Sequence, residues 1–246
     1  MLMTSLKREG FPIRHVYQWF LPPFTVQNYY TVFNRAPIGR WMFNSLFIAV
    51  SVTALVLIIS SLAAFAISRI DFRFRKFVYV FFMAGLMVPG EATIIPLFNL
   101  ANNLNLVNTY SGLILPSLAG PFAVIILKEF FDGVPNELVE SARIDGCGLF
   151  RMYWMIFVPL SKPALSTIGI FTFIGSWNNF LWPFLIIMSE AMYTLPVGIP
   201  AFNSAYSQDY ILPMTVNAVA SLPAIIAFLF FQKQIIQGIK LSGIKG

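Results

Sequence analysis

Long stretches without a charged side chain constrain this chain more than any other feature of its sequence. The first, about Trp41 to Ser68, contains no Asp, Glu, Lys or Arg. A helix of about 20 apolar residues crosses the hydrocarbon core of a bilayer, which is about 30 Å thick. Only 11% of all residues are charged, whereas soluble domains average about 25%. The sequence therefore predicts an all-α, polytopic membrane protein, because helices satisfy their own backbone hydrogen bonds in lipid.

The apolar stretches predict five membrane-spanning helices. Pro89-Gly90 and Pro96 interrupt the second of them, and the third contains Pro116, Gly120 and Pro121. Between the fourth and the fifth we expect an exposed loop over residues 186–210, because it contains Glu190 and Asp209. The predicted spans cover about residues 41–68, 77–100, 110–127, 162–183 and 211–231.

The basic side chains are distributed unevenly among the loops, and this predicts the orientation. Residues 69–76 hold four of the 16 lysines and arginines, residues 128–162 hold four, and residues 232–246 hold three. The loops at 101–109 and 186–210 hold none. Basic loops remain on the cytoplasmic side. We therefore expect a cytoplasmic C-terminus and a cytoplasmic 128–162 loop in a multi-pass protein of the cell (plasma or inner) membrane.

This orientation divides the chain into three predicted parts. Residues 1–40 form an extracytoplasmic N-terminal segment, residues 41–240 a transmembrane domain with a cytoplasmic insertion at 132–159, and residues 241–246 a cytoplasmic tail. The N-terminal segment departs from the charge rule, because it carries the other five basic residues. Either the segment is translocated despite these charges, or a sixth span lies upstream of Met1, which is the alternative we favour.

The composition disfavours several classes of protein. The net charge of +6 comes from scattered residues rather than from a basic patch, so we expect no nucleic-acid partner. With one cysteine, Cys147, and one histidine, His15, we expect neither an internal disulfide nor a metal site. The phosphate-binding loop of ATPases and the nucleophile motifs of hydrolases are absent. We expect no cofactor and no enzymatic activity in this chain.

The insertion between the third and fourth spans carries the densest polar cluster. Pro135 suits the first position of a helix, and Glu137 and Glu140 fall in its first turns, where the helix dipole favours negative charge. Glu140 and Arg143 are three residues apart and can pair on one face. Gly146 suits the left-handed residue that ends a helix. The pattern predicts two short helices joined at a glycine elbow, either a docking element or a hairpin resting on lipid headgroups.

The same insertion resembles the cytoplasmic signature of binding-protein-dependent ABC transporter permeases. That signature reads Glu-Ala-Ala, three residues, Gly, nine residues, Ile, any residue, Leu, Pro. Ser141 replaces its first alanine and Val158 replaces its leucine. The matching residues are Glu140, Ala142, Gly146, Ile156 and Pro159.

Short blocks along nearly the whole chain resemble the carbohydrate-uptake subfamily, of the maltose and glycerol-phosphate type. In that subfamily this half-transporter has six spans, and the first block follows the first span, which also favours a span upstream of Met1. The blocks are Thr4-Ser5-Leu6-Lys7, Asn28-Tyr29, Asn44-Ser45-Leu46, Ile144-Asp145-Gly146, Trp177-Asn178-Asn179-Phe180, Tyr193-Thr194-Leu195-Pro196 and Lys245-Gly246.

The resemblance implies a type I ABC importer permease fold. The chain would then form half of the path for a sugar or related polyol in an ATP-driven importer. Implied partners are two ABC ATPase subunits, a second homologous permease, an extracytoplasmic solute-binding protein and membrane lipid. The insertion would seat in a cleft of an ATPase subunit through the coupling residues Glu140, Ser141, Ala142, Asp145, Gly146, Ile156 and Pro159.

Polar residues within the spans are candidates for the solute pathway. Trp177, Asn178 and Asn179 combine an aromatic face with amides, which suits a sugar, although such amides equally suit hydrogen bonds between helices. Glu91 is a carboxylate about 21 Å along a straight helix from Phe77. A carboxylate within a membrane span is by default a functional hypothesis, and the alternative is a plain position at the interface.

Two rivals to a sugar permease stay open on the sequence. An ABC permease for another solute would carry the same signature. A self-contained secondary transporter or channel would need paired ionisable groups within the membrane, and Glu91 has no counterpart there. An intramembrane enzyme is a weaker rival, because no nucleophile–base pair is visible.

Overall fold

Helices make up the regular structure of the chain. The computed structural model describes residues 1–8, 10, 15–206 and 210–242, and this part contains no β-strand. Asp209, and residues 243–246 of the predicted tail, lie outside the described residues. The α-helices, in chain order, are α1 (Leu2–Ser5), α2 (Gln27–Arg35), α3 (Ile38–Arg69), α4 (Arg75–Gly85), α5 (Gly90–Asn103), α6 (Tyr110–Ile114), α7 (Pro121–Asp132), α8 (Asn136–Ile144), α9 (Leu149–Met152), α10 (Val158–Leu160), α11 (Lys162–Trp177), α12 (Leu181–Ile186), α13 (Leu195–Tyr206) and α14 (Ile211–Ser242).

The first and last predicted spans are confirmed as long helices. α3 has 32 residues, and its apolar length is sufficient to cross a membrane. The part of α14 over Ile211–Leu229 meets the same requirement. Both helices are longer than predicted, because the helical conformation continues into polar residues beyond the end of each apolar stretch.

The second and third predicted spans are broken helices. The fourth follows a bend, and the helix before that bend, Leu149–Leu160, lies in the predicted insertion. α4 and α5 meet at an angle of 103°, Tyr110–Leu118 and Pro121–Asp132 at 45°, and Leu149–Leu160 and Lys162–Trp177 at 78°. If each bent pair is one span, the described residues contain five spans, the number predicted. The interruption predicted at Pro89-Gly90 is confirmed, because α5 begins at Gly90 after the bend. The interruption predicted at Pro96 is wrong, because Pro96 lies inside α5, which continues to Asn103. The third span breaks before Pro121, where α7 begins.

The sharpest bend corrects the predicted position of Glu91. The estimate of about 21 Å assumed one straight helix from Phe77. Glu91 instead lies in the first turn of α5, beyond the 103° bend that follows α4. Its distance from the start of the second span is therefore not given by helical rise.

The chain folds into two compact units. The first unit comprises Met1–Ala49, Ala101–Leu113 and Ile174–Leu229. Its buried side-chain amides bind backbone carbonyls that are distant in sequence. Asn28 donates to the carbonyls of Ser5 and Lys7 at 2.6 and 2.5 Å. Two of the sequence blocks that resemble the carbohydrate-uptake subfamily are thus bound to each other.

A second pair of these blocks is joined in the same way. The side chain of Asn44, which is fully buried, donates to the carbonyls of Ala191 and Tyr193 at 2.9 Å each and accepts from the Tyr110 hydroxyl at 2.7 Å. The backbone N–H of Leu195 donates to the Ser45 hydroxyl at 2.8 Å. Residues 44–46 of α3 therefore hold the block at 193–196.

The exposed loop predicted at 186–210 is wrong for its second half. Residues Leu195–Tyr206 form α13, with Leu195 and Val197 buried. Gly198 of this helix lies against the Trp41 indole, where a Cβ would overlap the ring carbons. The prediction failed because the charged residues Glu190 and Asp209 lie only at the two ends of the segment, whereas the helix between them packs apolar side chains inward.

The second unit comprises Val50–Leu100, Ile114–Phe173 and the chain from Phe230 onward. Its core is aromatic: the ring of Phe65 on α3 lies 5.0 Å from that of Phe157, 5.4 Å from that of Tyr153 and 6.4 Å from that of Phe131. The close pairs are edge-on, which is the favoured arrangement for aromatic rings. This unit contains the whole insertion at 132–159.

Candidate functional site

The first arm of the insertion is the short helix α8. Pro135 occupies the N-cap position, one residue before the helical position predicted for it, and Glu137 lies in the first turn as predicted. Proline suits the start of a helix because its φ is preset and no N–H is lost from the ladder. Val139 is buried, whereas most other residues of α8 are exposed.

The glycine elbow predicted at Gly146 is confirmed. Gly146 has φ of +72°, in the left-handed region that favours glycine. Its N–H donates to the Arg143 carbonyl at 3.0 Å, and the N–H of Cys147 donates to the Ala142 carbonyl at 2.8 Å. These two bonds form a Schellman motif, which satisfies the last carbonyls of α8. Asp145 is the C-cap residue.

The second arm runs without a break over residues 149–160. It consists of α9, a π-helical turn at Tyr153–Phe157 and α10. Ile156 is half-buried within the π turn, and Pro159 is exposed in α10. π turns are rare and occur often at functional sites. The predicted pair of short helices joined at Gly146 is therefore the observed structure.

The exposed face of α8 combines carboxylates with an apolar side chain. Glu140, Ser141 and Asp145 are exposed, whereas Ala142 is half-buried. Ile144, one turn beyond Glu140, is 86% exposed. Within the described part of the chain the Glu140 carboxylate makes no ion pair, so the pairing with Arg143 that their spacing allows does not form. An exposed isoleucine beside an unpaired carboxylate is suited to contact with another protein.

The insertion is anchored on one face of α3, formed by Ser61, Phe65, Ser68 and Arg69. Residues at this spacing share a face of a helix. The Ser61 hydroxyl hydrogen-bonds the Tyr153 hydroxyl at 2.6 Å, and the Ser68 hydroxyl donates to the Asp132 carboxylate at 2.5 Å. This anchoring face therefore contacts both the entry and the second arm of the insertion.

Arg69 makes the largest number of these contacts. Its Nη2 donates to the carbonyls of Phe131 and Val134 at 2.5 and 2.7 Å, and its Nη1 donates to Oδ1 of Asn136 at 2.7 Å. Its guanidinium also lies 5.1 Å from the centre of the Phe157 ring. The planar fork of arginine suits several acceptors at once together with an aromatic face. One side chain thus ties the entry of the insertion to its second arm.

The sequence prediction missed this anchoring face. Arg69 counted there only as one of the basic loop residues that set orientation. The helical spacing of Ser61, Phe65, Ser68 and Arg69 was a signal that could have been noticed, since two hydroxyls and a cation on one face of an apolar helix need partners. Nothing in the sequence identified those partners as Asp132, Tyr153 and the carbonyls at 131–134.

The candidate pathway residues belong to different units. Trp177 ends α11 and is buried, and Asn178 and Asn179 lie in the break before α12, in the first unit. Asn178 is exposed and Asn179 half-buried. Neither side-chain amide forms a hydrogen bond within the described residues, so a role as interhelical glue finds no partner there. Glu91 is exposed and belongs to the second unit.

These features define a helical, polytopic membrane protein with a two-helix elbow between its spans. Residues 56–241 match the protein family described as "Binding-protein-dependent transport system inner membrane component". That match covers most of the chain, including the whole elbow. The chain belongs to this family, and the resemblance to ABC permeases that the motifs indicated is confirmed.

Characterised relatives are similar over most or all of the chain. It is 37% identical to the arabinooligosaccharides transport system permease protein AraQ of Bacillus subtilis, over 100% of this chain and 89% of that protein. It is 32% identical to the sulfoquinovosyl glycerol transport system permease protein SmoH of Agrobacterium fabrum, over 100% and 87%. It is 35% identical to the sn-glycerol-3-phosphate transport system permease protein UgpE of Yersinia enterocolitica, over 84% and 74%. These relatives are permeases, so the chain is a transport subunit.

A solved structure supports the fold independently. The chain superposes on a chain of a bacterial ABC transporter involved in the import of the acidic polysaccharide alginate, with a TM-score of 0.82. The superposition covers 95% of this chain and 88% of the other at 22% identity. The predicted all-α ABC importer permease fold is therefore confirmed.

Proposed function

We propose that the chain is one permease subunit of an ATP-driven ABC importer for a sugar or related polyol. AraQ and SmoH, similar along the whole chain, carry names that refer to sugar-containing solutes. UgpE is named for sn-glycerol-3-phosphate, a phosphorylated polyol. Those three names support a polyhydroxylated solute as the class of cargo, and a solute outside that class is the alternative to be tested.

The exposed elbow carries the coupling proposal. Glu140, Ser141, Ala142, Asp145, Gly146, Ile156 and Pro159 form the site on which a cytoplasmic ATPase subunit acts. The observation that supports this most directly is that most of α8 is exposed, while Arg69, Ser61 and Ser68 of α3 hold the insertion. They do so through Asn136 at the start of α8, Tyr153 in the second arm and Asp132 before α8. A force applied to α8 would therefore move α3 as part of one packed body.

The remaining partners and the orientation follow from this role. The importer would contain two ATPase subunits that hydrolyse ATP, a second homologous permease and an extracytoplasmic solute-binding protein. Residues 41–240 would form the transmembrane domain, and its insertion at 132–159 would face the cytoplasm. The tail at 241–246 would also be cytoplasmic, whereas residues 1–40 would lie on the opposite side of the membrane. The basic residues at 69–76 and 128–162 support this orientation.

The test of coupling is Glu140→Lys in the complete transporter reconstituted in liposomes. Reversing the charge on the exposed face of α8 should reduce solute-stimulated ATP hydrolysis at least about tenfold, since a like or unpaired charge at a protein contact costs 1.4 kcal/mol or more, about a factor of ten. Membrane insertion and basal ATP hydrolysis should be retained. Solute-stimulated hydrolysis and uptake would be measured in parallel.

Glu190→Lys is the matched control. Glu190 is also an exposed carboxylate, but it lies in the first unit, outside the insertion. It should leave the stimulated rate near that of the wild type. Normal coupled uptake by Glu140→Lys would rule out the docking role of α8.

The solute pathway is tested with Asn178→Ala combined with Asn179→Ala. We propose that these amides, with Trp177, line the path of the solute, and that Glu91 is a second candidate position. Loss of a net hydrogen bond of about 1 kcal/mol should raise the KM for uptake about fivefold. ATPase assembly should be unchanged. Asn103→Ala is the control, because Asn103 carries an exposed amide at the end of α5. Unchanged uptake kinetics in the double variant would contradict the pathway role and support a packing role for Asn178 and Asn179.

A further inference from the structure

A cavity lined by cations lies beside the turn between α3 and α4. Its volume is about 510 Å³, and it is contained within the second unit. The charged side chains that line it are Asp71, Arg73, Arg75, Lys76 and Lys128. Four cations thus face one carboxylate, so the cavity is suited to an anion.

Two of the four cations are already paired within the chain. Arg75 binds the Asp71 carboxylate at 3.2 Å and the Ser68 carbonyl at 2.7 Å. Lys128 binds Asp132 at 2.5 Å and Glu129 at 3.5 Å. Both Arg75 and Lys128 therefore already have partners within the chain, and these contacts fix their positions in the wall of the cavity.

Arg73 and Lys76 are the cations left for an external anion. Both are exposed, and neither has a carboxylate partner within the described residues. Arg73 stacks beside the Phe74 ring, with its guanidinium carbon 5.8 Å from the ring centre. They lie three residues apart, Arg73 in the turn before α4 and Lys76 in its first turn, and both line the cavity. Two cations at this spacing suit the oxygens of one phosphate group.

An apolar surface continues from the cavity along α4. Phe77 and Phe81 are each 69% exposed, and Val80 is 60% exposed. Residues at these spacings share one face of the helix. A free phosphate ion has no apolar group that could contact this surface. The acyl chains of a phospholipid could pack against it while the phosphate group occupies the cavity.

We propose that this cavity binds the phosphate group of an anionic phospholipid, with Arg73 and Lys76 as its principal ligands. Basic pockets between membrane helices are a known means of binding anionic headgroups. Arg75 and Lys128 line the same cavity, but Asp71, Glu129 and Asp132 balance their charges, so Arg73 and Lys76 supply the net positive charge for the ligand. The site is independent of which solute the protein transports, and its ligand is held by charge rather than by contacts of the coupling elbow.

The experiment measures lipid retention by the full chain in its purified complex. Native mass spectrometry would compare phosphatidylglycerol with phosphatidylcholine, for the wild type and for Arg73→Gln combined with Lys76→Gln. The wild type should retain phosphatidylglycerol preferentially. In the double variant that preference should fall about 25-fold, since each of the two cations contributes about a factor of five near a headgroup. Inorganic phosphate at millimolar concentration should not displace the lipid.

Arg8→Gln combined with Lys162→Gln is the matched control. It removes the same charge from two exposed positions that do not line the cavity, and it should keep the lipid preference. An unchanged preference in Arg73→Gln/Lys76→Gln would overturn the proposal. Displacement of the lipid by inorganic phosphate would overturn it in favour of a free-phosphate site. Loss of partner subunits with the lipid still bound would overturn it in favour of a protein contact.

Discussion

Different kinds of interaction stabilise the interior of each of the two compact units. In the first unit, buried asparagines bind backbone carbonyls across long sequence separations, as Asn28 does with Ser5 and Asn44 does with Ala191 and Tyr193. In the second unit, the rings of Phe131, Tyr153 and Phe157 pack around Phe65. The guanidinium of Arg69 binds the Phe131 carbonyl and lies against the Phe157 ring.

This difference has a mechanical consequence. An amide bound to one or two carbonyls fixes a particular loop, and its loss leaves unsatisfied polar groups near that loop. A packed aromatic cluster with an arginine at its edge instead moves as a body, because close-packed interiors resist local deformation. The elbow proposed to receive force from an ATPase is attached to the second kind of structure.

The strongest test of this contrast is Arg69→Met. Methionine preserves much of the apolar length but removes every hydrogen bond to the carbonyls at 131–134 and to Asn136. We expect solute-stimulated ATP hydrolysis to fall at least about tenfold while the basal rate persists, because hydrogen bonds to a charged group contribute about 1.5–3 kcal/mol each. The ratio of uptake to ATP hydrolysis in proteoliposomes is the measurement.

Arg69→Lys separates a positioning role from a general need for charge. Lysine keeps the charge but lacks the planar fork, so it should restore coupling only in part. Lys162→Met removes an exposed cation that makes none of these contacts, and it should have little effect. Full coupling in Arg69→Met would mean that the anchoring face does not carry the force.

Asn44→Ala should produce an intermediate effect, on stability rather than on coupling. It removes three hydrogen bonds from a fully buried site and leaves two carbonyls and one hydroxyl without that partner. Loss of a buried partner costs about 1–3 kcal/mol. The midpoint of thermal unfolding should therefore fall by several degrees, while the surviving folded protein keeps its ratio of uptake to ATP hydrolysis.

The exposed Asn34 provides the control for that experiment. Its amide donates to the Tyr30 carbonyl one turn away, so Asn34→Ala should change the midpoint much less. If Asn44→Ala uncoupled transport as strongly as Arg69→Met, the contrast between the two units would be wrong.

Gly146→Ala should have the smallest effect of the three. Alanine at φ of +72° is strained by about 1–2 kcal/mol, and the cost should be confined to the elbow. We expect faster hydrogen exchange at the amides of Gly146 and Cys147, which close the Schellman motif, and a modest loss of coupling. Hydrogen exchange followed by mass spectrometry would measure it.

Gly148→Ala is a control two residues away. Gly148 has φ of −69° and open space around the position of a Cβ, so alanine should be tolerated there. Equal effects at both positions would show that the left-handed conformation of Gly146 is not what maintains the elbow.

Local features of the sequence predicted a large part of the fold. The uncharged stretch after Trp41 predicted α3, Pro89-Gly90 predicted the break between α4 and α5, and Gly146 predicted the elbow. Each of these follows from a property of a few adjacent residues: apolar length, a missing N–H donor, or freedom to adopt positive φ. The predicted role of Glu140 in coupling remains a prediction.

The failed predictions have a common cause. The angle at the break before Glu91, the helix α13 and the partners of Arg69 all depend on contacts between residues far apart in the sequence. Residues 195–206 form a helix that packs Gly198 on Trp41, although the segment is bordered by charges. Periodicity and turn residues carry no information about such contacts.

The sequence by itself determined that this protein is helical, crosses the membrane several times, and carries a two-helix elbow with a glycine at its turn. These properties depend on hydrophobic length and backbone freedom, which are local. Only the tertiary structure decided which side of that elbow is free and which is bound to α3. That outcome required the guanidinium of Arg69 to meet carbonyls more than 60 residues further along the chain, and such a meeting is set by packing rather than by the order of residues.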